Sequence, residues 1–344
     1  MESRLVEDSM SRYKIVVYNT IVGKDRDIEE EVLKRDGFDD FELVRIEGND
    51  DEVFLKEAED ADGLCAWAYL DKPKFKRLAK CKIIVSPGIG VDRFDLQGAT
   101  ECGVCVANVP DYCVEDVAVH TVAMMLDCTR KLTFLDRDVR KGGWKVLACG
   151  KIYRMAGRTY GLVSFGHIPQ RIAELMRPFN VRIVAYDPFA SDDAFEKFGV
   201  ERINTLEELF MQSNYISVHT PHMAETHHII GRKQLELMKD GSVIVVCGRG
   251  GVVDEDALKD ALLSGKVGCA GIDVIEDEIN NTSVLMGLDN IIMTPHSAYY
   301  SEDSCDDLRR KTIEAIVDTV RAKKPPKNLV NKDVIGHARF EKEQ

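Results

Sequence analysis

No stretch of this chain stays apolar long enough to cross a bilayer. The best runs, such as Val117–Leu126, are interrupted or too short. Positive charge is not in excess either: the net charge is -13, which disfavours nucleic acid and anionic membrane surfaces as partners. A leader-like opening is missing, since Met1–Ser11 is polar and acidic with no apolar centre. Metal ligands do not gather. The 10 cysteines are scattered, mostly in apolar runs, and read as reduced core thiols of a cytoplasmic protein. Cys102 and Cys105 form a CxxC without a second pair. His219, His222, His227 and His228 cluster on a strand end and a loop, without carboxylate or cysteine support. The expectation is no metal, no nucleic acid and no membrane.

What is present suits two globular domains. The length is 344 residues, with 44% hydrophobic and 31% charged residues. Strand-like runs at 13–19, 41–46, 63–67, 83–86 and 104–108 alternate with helical segments. Such alternation marks a parallel sheet covered by helices on both faces. A long helix is expected from Val114 to Val139, ended by Gly142-Gly143. Its segment Val117–Leu126 is apolar nearly all round, as in a core helix or a dimer seam. Alternation then restarts, with six strands at 160–165, 182–187, 215–219, 242–247, 269–274 and 291–294. That is a complete dinucleotide-type domain. A helix over 301–322 returns the chain to the first domain. The expected boundaries are 1–113 with 299–344, and 114–298.

The first strand of the central domain runs into Ser164-Phe165-Gly166-His167-Ile168-Pro169. The glycine fingerprint is reduced there to Ser-x-Gly-x-x-Pro. Gly166 retains the position where backbone approaches a pyrophosphate, and Pro169 suits a first helical turn. Asp187 follows about 20 residues past the turn, where a carboxylate accepts both adenosine ribose hydroxyls and repels a 2′-phosphate. NAD is the expected cofactor. The competing reading is a strand-turn-helix that binds nothing.

Three further segments end strands with polar residues: Gly248–Glu255, Asp273–Glu278 and Thr294–Ala298. Ligands of open α/β sheets bind beyond the carboxyl ends of strands. Arg249 there can grip a carboxylate through paired hydrogen bonds, and His296 can donate a proton at neutral pH. Glu278 can stabilise the imidazolium. Singly, each has a bland reading as a surface ion pair, a solvated acidic run or a turn histidine. Their joint placement beside a nicotinamide suits reduction of a 2-oxo acid.

The ordered series Gly88-Ile89-Gly90-Val91-Asp92, Asn108-Val109-Pro110, Gly161–Gly166, Tyr186-Asp187-Pro188, His219-Thr220-Pro221, Arg249–Glu255, Gly271–Val274 and Thr294-Pro295-His296 resembles the D-isomer-specific 2-hydroxyacid dehydrogenases over nearly the whole chain. The nearest resemblance is to their C-terminal-binding-protein-like branch. It implies two doubly wound parallel-sheet α/β domains, the central one Rossmann-type for NAD and the other a discontinuous flavodoxin-like substrate domain. It implies that Arg249 binds the substrate carboxylate and carbonyl oxygen, that His296 is the acid/base and that Glu278 is its partner. Backbone at Ile89 and Gly90 would hold the carboxylate. Phe165, Gly166, His167, Ile168 and Asp187 would hold NAD, helped by Thr220, Cys247, Gly248 and Asp273. The helix after Val114 would build a homodimer. The chain departs from the family pattern at Ser164 and Pro169, at Pro87, at Val119 where an acidic residue is usual, at His222 where leucine is usual, and at Ile279 where proline is expected. An alternative from another class is an NAD(H)-sensing regulator with a protein partner and weak or no turnover.

Overall fold

The computed structural model describes residues 13–19, 27–35, 37–48 and 50–343; the polar opening Met1–Ser11 lies outside them. The chain divides into two compact units, one running up to Tyr112 and resuming from Ser301, the other Cys113–Tyr300.

In the first unit, β1 (Tyr13–Tyr18), α1 (Ile28–Arg35), β2 (Phe41–Ile46), α2 (Asp51–Ala58), β3 (Gly63–Ala66), α3 (Lys72–Arg77), β4 (Ile83–Val85), α4 (Leu96–Glu101) and β5 (Cys105–Ala107) alternate strictly. The sheet order is β2-β1-β3-β4-β5, all parallel. Strands β3, β4 and β5 are buried throughout, as expected for a sheet covered on both faces. The short helices start on carboxylate caps: Asp50 accepts from the Glu52 and Val53 amides, Asp71 from Lys74, and Asp95 from Gly98. The cap of α4 marks a helix that periodicity alone did not show.

The second unit contains α5 (Val114–Arg130), α6 (Leu132–Arg140), β6 (Thr159–Val163), α7 (His167–Met176), β7 (Arg182–Tyr186), α8 (Asp192–Lys197), β8 (Glu201–Arg202), α9 (Leu206–Gln212), β9 (Tyr215–Val218), α10 (Arg232–Leu237), β10 (Ser242–Val246), α11 (Glu255–Leu263), β11 (Val267–Ile272) and β12 (Ile291–Met293). Its parallel sheet has seven strands in the order β12-β11-β10-β9-β6-β7-β8. The sequence shows six of them; the seventh, β8, is a two-residue edge strand too short to carry a pattern. The order reverses between β6 and β9, the position where doubly wound sheets bind dinucleotides.

The long helix expected over Val114–Val139 is in fact two. Lys131 takes a left-handed conformation, φ 56°, between α5 and α6. Asp127 explains the break: its Oδ1 accepts from the Thr133 amide at 2.8 Å, serving the start of α6. Nor is Val117–Leu126 buried on every side. Val117, Ala118, Thr121, Met124 and Met125 face the core, while Val119 is 49% exposed and Ala123 is exposed.

The last helix, α12 (Glu302–Ala322), opens on a Ser301–Ser304 capping box and packs in the first unit against β3, β4 and α1. Arg309 on it forms a buried ion pair with Glu29 of α1, Nη2 to Oε2 2.6 Å. Among the described residues no helix is long and apolar enough to cross a membrane.

Candidate active site

The carboxyl edge of the second sheet gathers almost all the sequence-singled residues of that unit. The turn after β6 begins at Ser164, held at φ 82°, a left-handed conformation that glycine adopts freely and serine only with strain. Gly166 caps α7 with no side-chain bond, and a Cβ placed on it would meet nothing within 4 Å. Among the described residues, the amides of Gly166, His167 and Ile168 donate to no acceptor. Three open amides at a helix N-terminus, with no side chain in the way, fit the pyrophosphate of a dinucleotide. The Phe165 side chain is buried and stacks on Phe195, centroids 4.5 Å apart, so only its backbone faces the turn.

Asp187, just past β7, spans the site. Its Oδ2 accepts from the Phe165 amide at 2.8 Å, and its Oδ1 from the amides of Phe189 at 2.8 Å and Ala190 at 3.1 Å. The fourth donor, Ser164 Oγ, reaches Oδ2 only at 3.4 Å, and that weak contact is the one a ribose hydroxyl would displace. Arg202, unnoticed in the sequence, donates to the Asp187 carbonyl at 3.1 Å while paired with Asp192 at 2.5 Å.

After β9, burial of the His219 ring pushes its pKa down to about 3, so the imidazole is neutral. Its Nε2 lies 3.1 Å from Ser217 Oγ, and its Nδ1 is buried with no hydrogen-bond partner among the described residues. Thr220 follows, and a Cβ on Gly248 would come 2.8 Å from the Thr220 carbonyl, so the loops after β9 and β10 touch through backbone. Cys247 is buried, its thiol pushed up to about 12 by that burial. The His222–His227–His228 group forms a chain: His222 Nε2 to His227 Nδ1 3.1 Å, then His228 Nε2 to Glu276 Oε1 2.8 Å. No group of three or more His, Cys, Asp or Glu side chains among the described residues is arranged to hold a metal ion.

The loops after β10, β11 and β12 converge. His296 Nδ1 lies 3.0 Å from both carboxylate oxygens of Glu278. Burial pushes the Glu278 carboxyl up; the hydrogen bond from His296, and then the charges of His296 and Arg249, outweigh it and hold the group below its ordinary value. Arg249 is half-buried, and its Nη1 donates to the Gly248 carbonyl at 2.9 Å. Gly250 permits the approach of these loops: a Cβ there would sit 1.9 Å from the Ile275 carbonyl oxygen. The 275–283 loop is pinned by Glu255, which accepts from the Glu276 amide at 2.8 Å, and by Asp277, which accepts from Asn280 and Thr282.

Asp273 is 2% exposed and supports the loop bearing His296. Oδ1 accepts from Thr294 Oγ1 at 2.6 Å and the Ser297 amide at 2.9 Å, and Oδ2 from the Ala298 amide at 3.1 Å. This bracing, with that of Glu255, escapes sequence reasoning because its partners, backbone amides and the Thr294 hydroxyl, have no fixed spacing along the chain. His296 itself sits at φ 50°, a strained backbone conformation.

In the first unit, Ile89 and Gly90 occupy the loop after β4. Their carbonyls are pinned inward, Ile89 by Asn108 Nδ2 at 2.7 Å and Gly90 by Ser86 Oγ at 2.6 Å. Their amides meet no acceptor among the described residues.

Residues 122–298 match the family model described as D-isomer specific 2-hydroxyacid dehydrogenase, NAD binding domain. The chain belongs to that family. It is 34% identical over 291 residues to a glyoxylate reductase of Korarchaeum cryptofilum, covering 82% of this chain and 86% of the relative. With a D-3-phosphoglycerate dehydrogenase of Methanocaldococcus jannaschii it shares 35% over 255 residues, 74% of this chain but about half, 48%, of that relative. Among solved structures it is similar to the D-lactate dehydrogenase of Aquifex aeolicus complexed with NAD and lactic acid. The identity is 29% and the TM-score 0.77, over 89% of this chain and 96% of the other. The family is one of NAD-dependent oxidoreductases acting on CH–OH donors, and NAD is the cofactor of the 2-hydroxyacid dehydrogenase reaction assigned to this chain.

Proposed function

We propose that the chain reduces a small 2-oxo acid to the D-2-hydroxy acid, or runs the reverse, with Arg249, Glu278 and His296 as its working side chains. The contact between His296 and Glu278 at 3.0 Å, within the field of Arg249, carries this reading. NADH, when bound, supplies the hydride. Phe165–Ile168 and Asp187 are assigned to the dinucleotide, supported by the open amides and by the weak, displaceable Ser164 contact on Asp187. Thr220, Cys247, Gly248 and Asp273 are assigned to the same edge, Asp273 with the added task of bracing the His296 loop.

In this scheme His296 gives its proton to the substrate carbonyl oxygen. Glu278, whose carboxyl is held below its ordinary value, contacts the imidazole through Nδ1 and aims it. Arg249 orients the acid and stabilises the alkoxide that forms. The amides of Ile89 and Gly90 take the substrate carboxylate. A pure NAD(H) sensor has no need of this arrangement, which weighs against the regulator alternative.

The proposal includes a homodimer. The outer face of α5 carries Val119, and α6 has no buried residue. Trp144, Val146 and Leu147 follow at 86%, 91% and 80% exposed. A second copy would cover this apolar surface. The ten free cysteines suit a reducing compartment such as the cytoplasm. NADH oxidation with glyoxylate, hydroxypyruvate, pyruvate and larger 2-oxo acids tests the central reading. Tight NADH binding with no turnover of any of them would favour the sensor.

A further inference from the structure

The loops at the carboxyl edge of the five-stranded sheet hold an arginine in an unusual setting. The guanidinium of Arg93 lies over the Trp67 ring at 4.3 Å and over the Tyr69 ring at 4.8 Å. Both aromatics follow β3, and Arg93 follows the loop after β4. A parallel bridge fixes the two segments together, Leu70 N to the Arg93 carbonyl 3.0 Å and Asp95 N to the Leu70 carbonyl 2.9 Å. Among the described residues, no carboxylate pairs with Arg93, although the chain carries a net charge of -13 and half-buried Arg171, Arg202 and Arg310 each have such a partner. Aromatic contacts occupy the flat faces of a guanidinium and leave its N–H donors, which lie in the plane, available. Three and four residues earlier in the chain, the amides of Gly90 and Ile89 meet no acceptor among the described residues, while their carbonyls are tied back. One short stretch of the first unit thus offers two separate sets of unpaired donors.

We propose that Arg93 is a specificity-determining residue that holds a second anionic group, a carboxylate or a phosphate at the far end of the 2-oxo acid. This rests on the reading that the Ile89 and Gly90 amides take the first carboxylate. Trp67 and Tyr69 hold the guanidinium in place beforehand, so little side-chain freedom is lost when the anion arrives. Lysine would not serve equally well, because it lacks the planar fork and stacks less well.

The test compares the parent enzyme with Arg93→Met and Tyr69→Leu. Oxaloacetate and 2-oxoglutarate carry a distal carboxylate, 3-phosphohydroxypyruvate a distal phosphate, and glyoxylate and pyruvate no distal anion. The parent is expected to favour one of the first three. Arg93→Met should lower kcat/KM for it about tenfold or more through KM, with kcat held. Glyoxylate and pyruvate should be unaffected, and Tyr69→Leu should give a smaller loss of the same kind. The better of the carboxylate and phosphate substrates identifies the anion. A parent that prefers monoacids, or an Arg93→Met that changes all substrates alike, overturns the assignment of Arg93. A parent that turns over no 2-oxo acid at all sinks the dehydrogenase reading instead, and this inference with it.

Discussion

Phe165 donates its amide to Asp187 Oδ2 at 2.8 Å, so the carboxylate expected to face a ribose also fastens the fingerprint turn. Ser164, immediately before, is held at φ 82° in place of the family's first glycine. An L-residue in that conformation costs roughly 1 kcal/mol more than glycine. Ser164→Gly is therefore expected to raise unfolding stability in denaturant titrations by less than about 1 kcal/mol, because the extra backbone freedom of glycine in the unfolded chain offsets part of the relieved strain. NADH affinity should hold or improve. A fall in stability would mean that the weak contact from Ser164 Oγ to Asp187, at 3.4 Å, matters more than the strain.

The same carboxylate decides between cofactors. On the assignment of Asp187 to the ribose, its negative charge would repel a 2′-phosphate, and the nearby Arg202 is already engaged by Asp192 at 2.5 Å. NADPH should support turnover at least about tenfold less well than NADH in kcat/KM, a difference of roughly 1.4 kcal/mol. Equal use of the two would refute the role given to Asp187.

His219 makes stability depend on pH. Burial lowers its pKa to about 3, whereas in the unfolded chain it titrates near 6.5. Between those values the unfolded state binds the proton and the native state does not. The contribution is therefore complete above pH 6.5 and is lost progressively as pH falls toward 3. One proton corresponds to a slope of up to about 1.4 kcal/mol per pH unit. His219→Gln should flatten denaturation curves measured across that window, whatever it does to stability at neutral pH. An unchanged slope would show that acid sensitivity arises elsewhere, in carboxylates such as Glu29, whose pKa is also lowered.

Much of this was legible in the sequence because parallel strands buried on both faces leave continuous apolar runs, as in Ile83–Val85 and Ser242–Val246. The candidate side chains Arg249, Glu278 and His296 stood out in the sequence because strand ends in doubly wound sheets deliver residues to one edge. The break at Lys131 was not, since a lysine at positive φ leaves no compositional mark and its cause, Asp127 serving Thr133, is a side-chain choice. The bracing by Asp273 and the clamp on Arg93 were hidden for a related reason. Both depend on which loops meet in space, and neither has a fixed spacing along the chain.

The dimer proposal has a direct check. With α6 lacking a buried residue and Trp144 86% exposed, a monomer would leave a broad apolar surface in water. Light scattering at micromolar concentration should give twice the chain mass. Val119→Asp combined with Leu147→Asp should shift the population toward monomer while circular dichroism stays unchanged. A monomeric parent ends the proposal.

His296, Glu278 and Arg249 should respond differently to removal if each does the task assigned. His296→Ala deletes the proton donor and leaves the binding groups, so kcat should fall by about 10²-fold or more, with NADH affinity nearly constant. Arg249→Lys keeps a charge but loses the paired donors, so KM for the 2-oxo acid should rise as kcat falls. Glu278→Gln keeps the shape and removes the charge that stabilises the imidazolium. Its reduction activity should fade at lower pH than the parent's, and the acid limb of the reverse reaction should move down in the same direction. Because the parent Glu278 carboxyl is held below its ordinary value, first against the effect of burial and then by His296 and Arg249, it stays ionised through mildly acidic pH. Loss of the parent's reduction activity there should follow unfolding, not protonation of Glu278. Circular dichroism beside the pH profile separates the two. Should His296→Ala reduce 2-oxo acids near the parent rate, the proton must come from elsewhere, and the 3.0 Å contact with Glu278 would then be structural.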